Sequence, residues 1–208
     1  MREIIRLTRE ENIDLILVGR KKEKEVRGKL PLHLTRKAPC PVFIIPEGSS
    51  SRITNILVPV DFSDASRAAL EVAIRVAVAA GRKKLHVLHV YQVPIGYHKS
   101  GKSYTESAKV MKQNAAEELG EFLRPMDLGG IAVQPLFVLS DHPAKAITAA
   151  VKKNQSDLLV AGTRGKSGGA FLLLGSVTER LIETTNVPLL AVKKKGSNLG
   201  FIDALLRL

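Results

Sequence analysis

The chain contains no tryptophan, a single cysteine, and aromatic side chains at only 4% of positions. Without Trp, and with Tyr91, Tyr97 and Tyr104 at no regular spacing, it offers no ladder of rings on which successive nucleobases could stack. Cys40 alone cannot close an internal disulfide, which agrees with a reducing compartment, and its neighbours Pro39 and Pro41 place it at a strand entrance. No apolar run approaches the roughly eighteen residues of a membrane span. The charged opening MREIIRLTREE lacks the pattern of a signal peptide. These absences exclude a membrane-spanning helix and point to a soluble, cytoplasmic protein.

Acidic residues are the minority, 20 against 32 Lys and Arg, for a net charge of +12. Such an excess attracts phosphate backbones, but its clusters are short. Lys21, Lys22 and Lys24 alternate with Glu23 and Glu25, and Lys193, Lys194 and Lys195 follow an apolar strand whose end they keep soluble. A solvated basic surface accounts for the charge better than a nucleic-acid interface does.

What is present is enough for one good core and part of another, with 208 residues of which 45% are hydrophobic. An internal repeat organises it. IIRLTREENIDLILVGR at 4–20 reads like ITAAVKKNQSDLLVAGTR at 147–164, with Asp14 on Asp157 and Gly19 on Gly162. APCPVFIIP at 38–46 echoes NVPLLAVK at 186–193, with Pro41 on Pro188 and Gly28 on Gly175. Residues 47–52, EGSSSR, have linker composition. The expected organisation is a half-domain at 1–46, a linker at 47–52, a complete domain at 53–195, and a tail at 196–208, FIDALLRL at its end suiting a helix.

In the complete domain, ILVPV at 56–60, LHVLHVY at 85–91, VQPLFVL at 133–139, DLLVA at 157–161 and PLLAV at 188–192 read as strands buried on both faces. Helical patterns lie between them. The first follows Ser63 as a cap and stops at Gly81; others suit 104–124, 143–154, opened by Pro143, and 175–185. This alternation predicts an α/β fold, a doubly wound parallel sheet of five strands with right-handed crossovers. Ligands of such sheets bind beyond the carboxyl ends of the strands, at the switch point.

The run GTRGKSGGAFLLLGSVTERL places Gly162, Gly165 and Gly175 about a loop, with Ser176 and Thr178 opening a helix. Phosphate chemistry suits it, because glycines let N–H groups approach oxygens and a helix N-terminus favours an anion. The hydroxyls of Ser176 and Thr178 can donate further bonds. A glycine loop in which Ser176 merely caps a helix fits equally well. Spacing narrows the choice. A Walker-type loop needs a glycine where Val160 stands, and the turn PVDFSDAS carries no GxGxxG. Gly165-Lys166-Ser167-Gly168-Gly169 matches a hydrolase elbow, but that fold needs a later His, and all five histidines precede Ser167. His86 and His89 point to opposite faces of one strand, against a shared metal.

What does match is Gly162, two residues, Gly165, nine residues, then Gly175-Ser176. With ILVPVDFSDASRAAL, VLHVY and VPLLAVKK, this spacing resembles the ATP-binding members of the universal stress protein family, over about three quarters of the chain. The resemblance implies the adenine-nucleotide α-hydrolase-like form of the sheet, with ATP as ligand. It also implies that Pro59 and Asp61 face adenine, that Val90 lines its pocket, and that Gly162, Arg164, Gly165, Gly175, Ser176, Val177 and Thr178 wrap ribose and phosphates. For Asp61 a turn-forming role is the alternative. Magnesium commonly travels with ATP, though no carboxylate cluster builds a protein cage for it. No residue stands out as a general base, so enzymatic activity is at most slow ATP hydrolysis. The alternative function is a nucleotide-sensing module without turnover that docks a protein partner.

The half-domain departs from this pattern. Lys22 replaces the second glycine and Lys29 the serine, and no first strand with its aspartate precedes it, so it is not expected to hold ATP. By resemblance it is the closing helix–strand–helix–strand portion of a second such domain. Family members pair through their last strand, which implies a homodimer or larger assembly; VFIIP at 42–46 suits pairing with PLLAV at 188–192 in the same chain or in a partner.

Overall fold

The computed structural model describes residues 2–21, 29–50, 52–165 and 174–193. Lys22, Gly28, Ser167 and the tail at 196–208 lie outside those residues. The first elements are helix α1 (Arg2–Glu10), strand β1 (Ile16–Arg20), helix α2 (Lys29–Lys37) and strand β2 (Val42–Pro46). Then follow β3 (Ile56–Pro59), α3 (Asp64–Ala79), β4 (Lys84–Tyr91), α4 (Tyr104–Leu123), β5 (Ala132–Leu139), α5 (Pro143–Lys153), β6 (Leu158–Gly162), α6 (Ser176–Thr184) and β7 (Leu189–Val192). A short 3-10 turn at Tyr97–Ser100 precedes α4.

Local chemistry sets the helix boundaries where the sequence marks them. Ser63 caps α3 by accepting the Ser66 N–H at 3.2 Å. Past the other end, Gly81 takes φ +65°, where a side chain would be strained. Ser103 and Glu106 form a reciprocal capping box on α4, and Pro143 opens α5, where its missing N–H costs nothing.

The seven strands of the described residues form one sheet in the order β1-β2-β7-β6-β3-β4-β5. Strands β3 to β7 run parallel, as the alternation predicts. β1 and β2 are also parallel to each other, and α1–β1–α2–β2 has the same element order as α5–β6–α6–β7. The two sets join antiparallel, with Val42 opposite Ala191, Phe43 opposite Leu190 and Ile44 opposite Leu189. VFIIP therefore pairs with the last strand inside this chain. β7 has β6 on one side and β2 on the other, so the edge through which the resemblance implies pairing between copies is taken.

Ile56, Leu57, Val58, Leu158, Leu159, Val160, Leu189, Leu190 and Ala191 are fully buried because helices cover both faces. On one face Leu70, Ala73, Ile74 and Ala77 of α3 and Leu119 and Phe122 of α4 pack against the strands. On the other, Leu34 of α2, Ile147 and Val151 of α5, and Leu181 and Ile182 of α6 form a second core. α6 ties the first elements to the rest. The buried Arg20 guanidinium donates to the carbonyls of Ile182, at 2.6 Å, and of Thr185, near the C-terminal end of α6, where the helix dipole favours a cation. Arg36 pairs with Glu179 at 2.6 Å.

Candidate functional site

β3 has β4 on one side and β6 on the other, and the helices that follow β3 and β6 leave on opposite faces. A crevice must open between the two carboxyl ends. There the structure has a cavity of about 200 Å³. Its walls include Pro59, Asp61, Val90, Gly162, Arg164, Gly165, Gly175, Ser176, Val177 and Thr178, so the ten residues singled out from sequence come together. Leu88, Pro143, Ile147 and Leu181 add an apolar floor that the sequence pattern did not distinguish from ordinary core.

The turn after β3 is held in an unusual conformation. Phe62 has φ +61°, rare for a bulky side chain and tolerated only where surroundings impose it. Its ring stacks on His89 at 4.3 Å and meets Phe122 edge-on at 5.5 Å. His89 Nδ1 lies 2.9 Å from the Val60 carbonyl oxygen. Asp61 Oδ1 accepts from the Ser63 hydroxyl at 2.5 Å and from its N–H at 3.2 Å, an Asx-type turn. The turn role weighed for Asp61 is therefore real, and it leaves Oδ2 on the far side, facing Gly165. A Cβ placed on Gly165 would stand 2.7 Å from that oxygen.

The loop after β6 is closed at its neck. Gly175 N–H donates to the Thr163 carbonyl at 2.8 Å, and the buried Thr178 hydroxyl donates to the Gly162 carbonyl at 2.7 Å. The Thr178 hydroxyl, read from sequence as a donor toward phosphate, thus has its proton committed to the main chain. Gly175 is the N-cap of α6 and supplies no side-chain bond, so Ser176 is the first helical residue and not its cap. Its side chain is exposed. The N–H groups of Ser176, Val177 and Thr178 are those that a helix leaves without intrahelical partners, and the dipole adds positive potential there. The glycines differ in necessity. A Cβ on Gly162 would lie 2.7 Å from the Ala65 carbonyl oxygen, against the first turn of α3, whereas one on Gly175 would meet nothing closer than 3.6 Å.

A cationic side chain lines the cavity beside this helix end. Arg164 is exposed at the rim. Lys193, just past β7, donates its ammonium to the carbonyls of Arg36 at 3.1 Å and Ala38 at 2.6 Å. Burial, and after it the charge of Arg164, press Lys193 down to about 8, against a smaller opposing effect of Cys40. Among the described residues no group of three or more His, Cys, Asp and Glu could hold a metal ion. His86 is pushed below the usual histidine range by burial and by Lys84, with its Gln134 hydrogen bond acting the other way. No helix among those described is long and apolar enough to cross a membrane.

Comparison with known proteins places the same stretch in one family. The model of the universal stress protein family matches residues 52–193. A universal stress protein of Methanocaldococcus jannaschii, MJ0531, is 32% identical over 141 residues, 67% of this chain and 81% of its own length. The solved structure of MJ0577 superposes with a TM-score of 0.56 at 27% identity, covering 70% of this chain and 99% of that one. The crystal structure of a universal stress protein from Archaeoglobus fulgidus gives a TM-score of 0.62 at 26% identity, over 94% of this chain and 65% of that one.

Proposed function

Because this chain belongs to the universal stress protein family, we propose that the crevice between β3 and β6 binds an adenine nucleotide, ATP foremost, and that the protein acts in regulation or stress response. The observation that carries this reading is the convergence, on one cavity, of an apolar slot, a carboxylate and an uncapped helix N-terminus beside Arg164. The slot, between Pro59, Val90 and Ile147, suits the faces of a purine. Asp61 Oδ2 can accept a hydrogen bond from an exocyclic amine, which adenine has. The cavity is smaller than the roughly 300–1,000 Å³ of sites enclosing a whole ligand. Base and ribose would be seated inside, with the phosphates at the mouth, over the N–H groups of Ser176, Val177 and Thr178.

A magnesium ion carried with ATP would be held by phosphate oxygens and water, since Asp61 is the carboxylate of the lining and one of its oxygens is engaged by Ser63. Among the described residues the cavity wall carries no carboxylate or histidine besides Asp61, and binding, not turnover, is the proposed activity. Ser176→Asp separates the two halves of the reading by putting a like charge at the helix end. Calorimetry should show ATP affinity falling by roughly two- to fivefold, from repulsion comparable to the helix-end term of about 0.3–1 kcal/mol at an exposed position. Adenosine affinity should change little. Equal losses for both ligands would put the phosphates elsewhere.

A further inference from the structure

Asp61 stands between two residues that a single imidazole holds. β3 ends at Pro59, and the Val60 N–H still donates to the Leu88 carbonyl at 2.8 Å. The Val60 carbonyl then meets His89 Nδ1 at 2.9 Å. On the other side of Asp61, Phe62 stacks on the same ring, with 4.3 Å between centroids and 26° between planes. A carbonyl oxygen only accepts, so in the neutral imidazole Nδ1 carries the proton and Nε2 is the acceptor. The stack is anchored from α4. Phe122 is buried and meets Phe62 edge-on, while Arg67 of α3 donates to the Phe122 carbonyl at 2.7 Å and lies 4.2 Å from its ring centre. Phe62, at φ +61°, keeps a conformation that a bulky residue adopts only under such restraint.

Two different holds therefore act on Asp61. The Ser63 hydroxyl and N–H, at 2.5 and 3.2 Å from Oδ1, set the rotation of the carboxylate. His89 sets where the main chain carries it. Among the described residues that wall the cavity are Asp61 and Val90, but neither His89 nor Phe62. Whatever the imidazole does to a ligand must pass through the turn. We infer that His89 is a positioning residue: it fixes the turn so that Asp61 reads the base, and so determines selectivity for adenine over guanine without touching either. The inference rests on the nucleotide reading above. Adenine presents an amine where guanine presents a carbonyl oxygen, so a carboxylate held in place accepts from the first and repels the second. A carboxylate free to swing aside would lose that discrimination.

Competition titrations with ATP and GTP on the full chain test it. His89→Phe keeps a ring against Phe62 but loses the donor, and its preference for ATP should fall by roughly three- to tenfold, the worth of one neutral hydrogen bond. His89→Asn, whose Nδ2 can take the place of Nδ1, should retain more of the preference than His89→Phe. In an Asp61→Ala background, His89→Phe should change the preference by less than about twofold, because the two residues act as one unit. A purely structural role would instead lower both affinities alike. Unchanged preference in His89→Phe, no advantage of Asn over Phe, or the same loss with and without Asp61 overturns the inference. If His89→Phe does not fold, nitrogen NMR of the unmodified chain decides: a proton on Nδ1 of the neutral ring supports the inference, and one on Nε2 overturns it. An unmodified chain that binds no adenine nucleotide defeats the nucleotide reading and this inference together. One that prefers ATP while His89→Phe prefers it equally removes this inference alone.

Discussion

Replacing Gly162 by alanine adds one methyl group where β6 ends, yet it should be among the more damaging single substitutions in the chain. The new Cβ would sit 2.7 Å from the Ala65 carbonyl oxygen and 2.8 Å from its carbon, both main-chain atoms of the first turn of α3. Neither can rotate away, so α3 must lift or β6 must sink. Forcing extra volume into a close-packed site typically costs about 1–3 kcal/mol, which for a chain of this length lowers the melting temperature by roughly 2–12 °C. The displacement also falls on the site. Ser63, which accepts the Ser66 N–H as the cap of that turn, also holds Asp61 in place, and the Gly162 carbonyl holds the Thr178 hydroxyl. ATP affinity should therefore drop together with stability. Gly175→Ala is the control, because its φ of −75° suits any residue and its Cβ would meet only ordinary contacts at 3.6 Å. Its change should stay within about 0.5 kcal/mol. Thermal melts and ATP titrations of both variants decide the matter. Equal stability of the two, with Gly162→Ala folded normally, would refute the steric argument.

Other outcomes follow from single contacts. Asp61→Ala should weaken ATP binding and shrink the preference for ATP over GTP, since a lost directional bond costs discrimination; unchanged selectivity in a competition assay would return Asp61 to its turn alone. Gly165→Ala should weaken ATP by crowding Asp61 Oδ2, and the double variant with Asp61→Ala should lose less than the sum, a coupling read by a double-mutant cycle. Arg20→Ala leaves the Ile182 and Thr185 carbonyls without their buried donor, at a cost of about 1–3 kcal/mol in chemical denaturation. Lys193 gives a pH signature. Folded, it releases its proton near 8, whereas an unfolded lysine does so near about 10.4. Between those values the unfolded chain binds the extra proton, so this group's contribution to stability rises with pH across the window. Melts of Lys193→Met over the same range should lose that rise, and parallel curves would contradict it.

Much of this was legible in sequence because it is local. Ser63, Gly81 and Pro143 mark helix ends through their own backbone chemistry, and the apolar runs of β3, β6 and β7 read as strands because both faces are covered. The spacing of Gly162, Gly165 and Gly175 gathered the site for the same reason, since loop and helix end are neighbours in the chain. What stayed hidden depends on partners far away. Nothing near Thr178 reveals that its hydroxyl serves the Gly162 carbonyl, and nothing in the glycine pattern says that Gly162 is sterically required while Gly175 is not. The left-handed Phe62 is imposed by His89 and Phe122. VFIIP suited the last strand of this chain or of another, and the choice rests on tertiary geometry, including the reach of Arg20 to α6.

The central claim is that an adenine nucleotide sits between the carboxyl ends of β3 and β6, and amide hydrogen exchange with and without saturating ATP tests it most directly. Protection should appear together at Val60–Ser63, at Gly162–Gly165 and at Ser176–Thr178, with adenosine reproducing only the part nearest β3. Protection confined to the basic surface away from these three segments, or none at ATP concentrations that shift the melting temperature, would contradict the account.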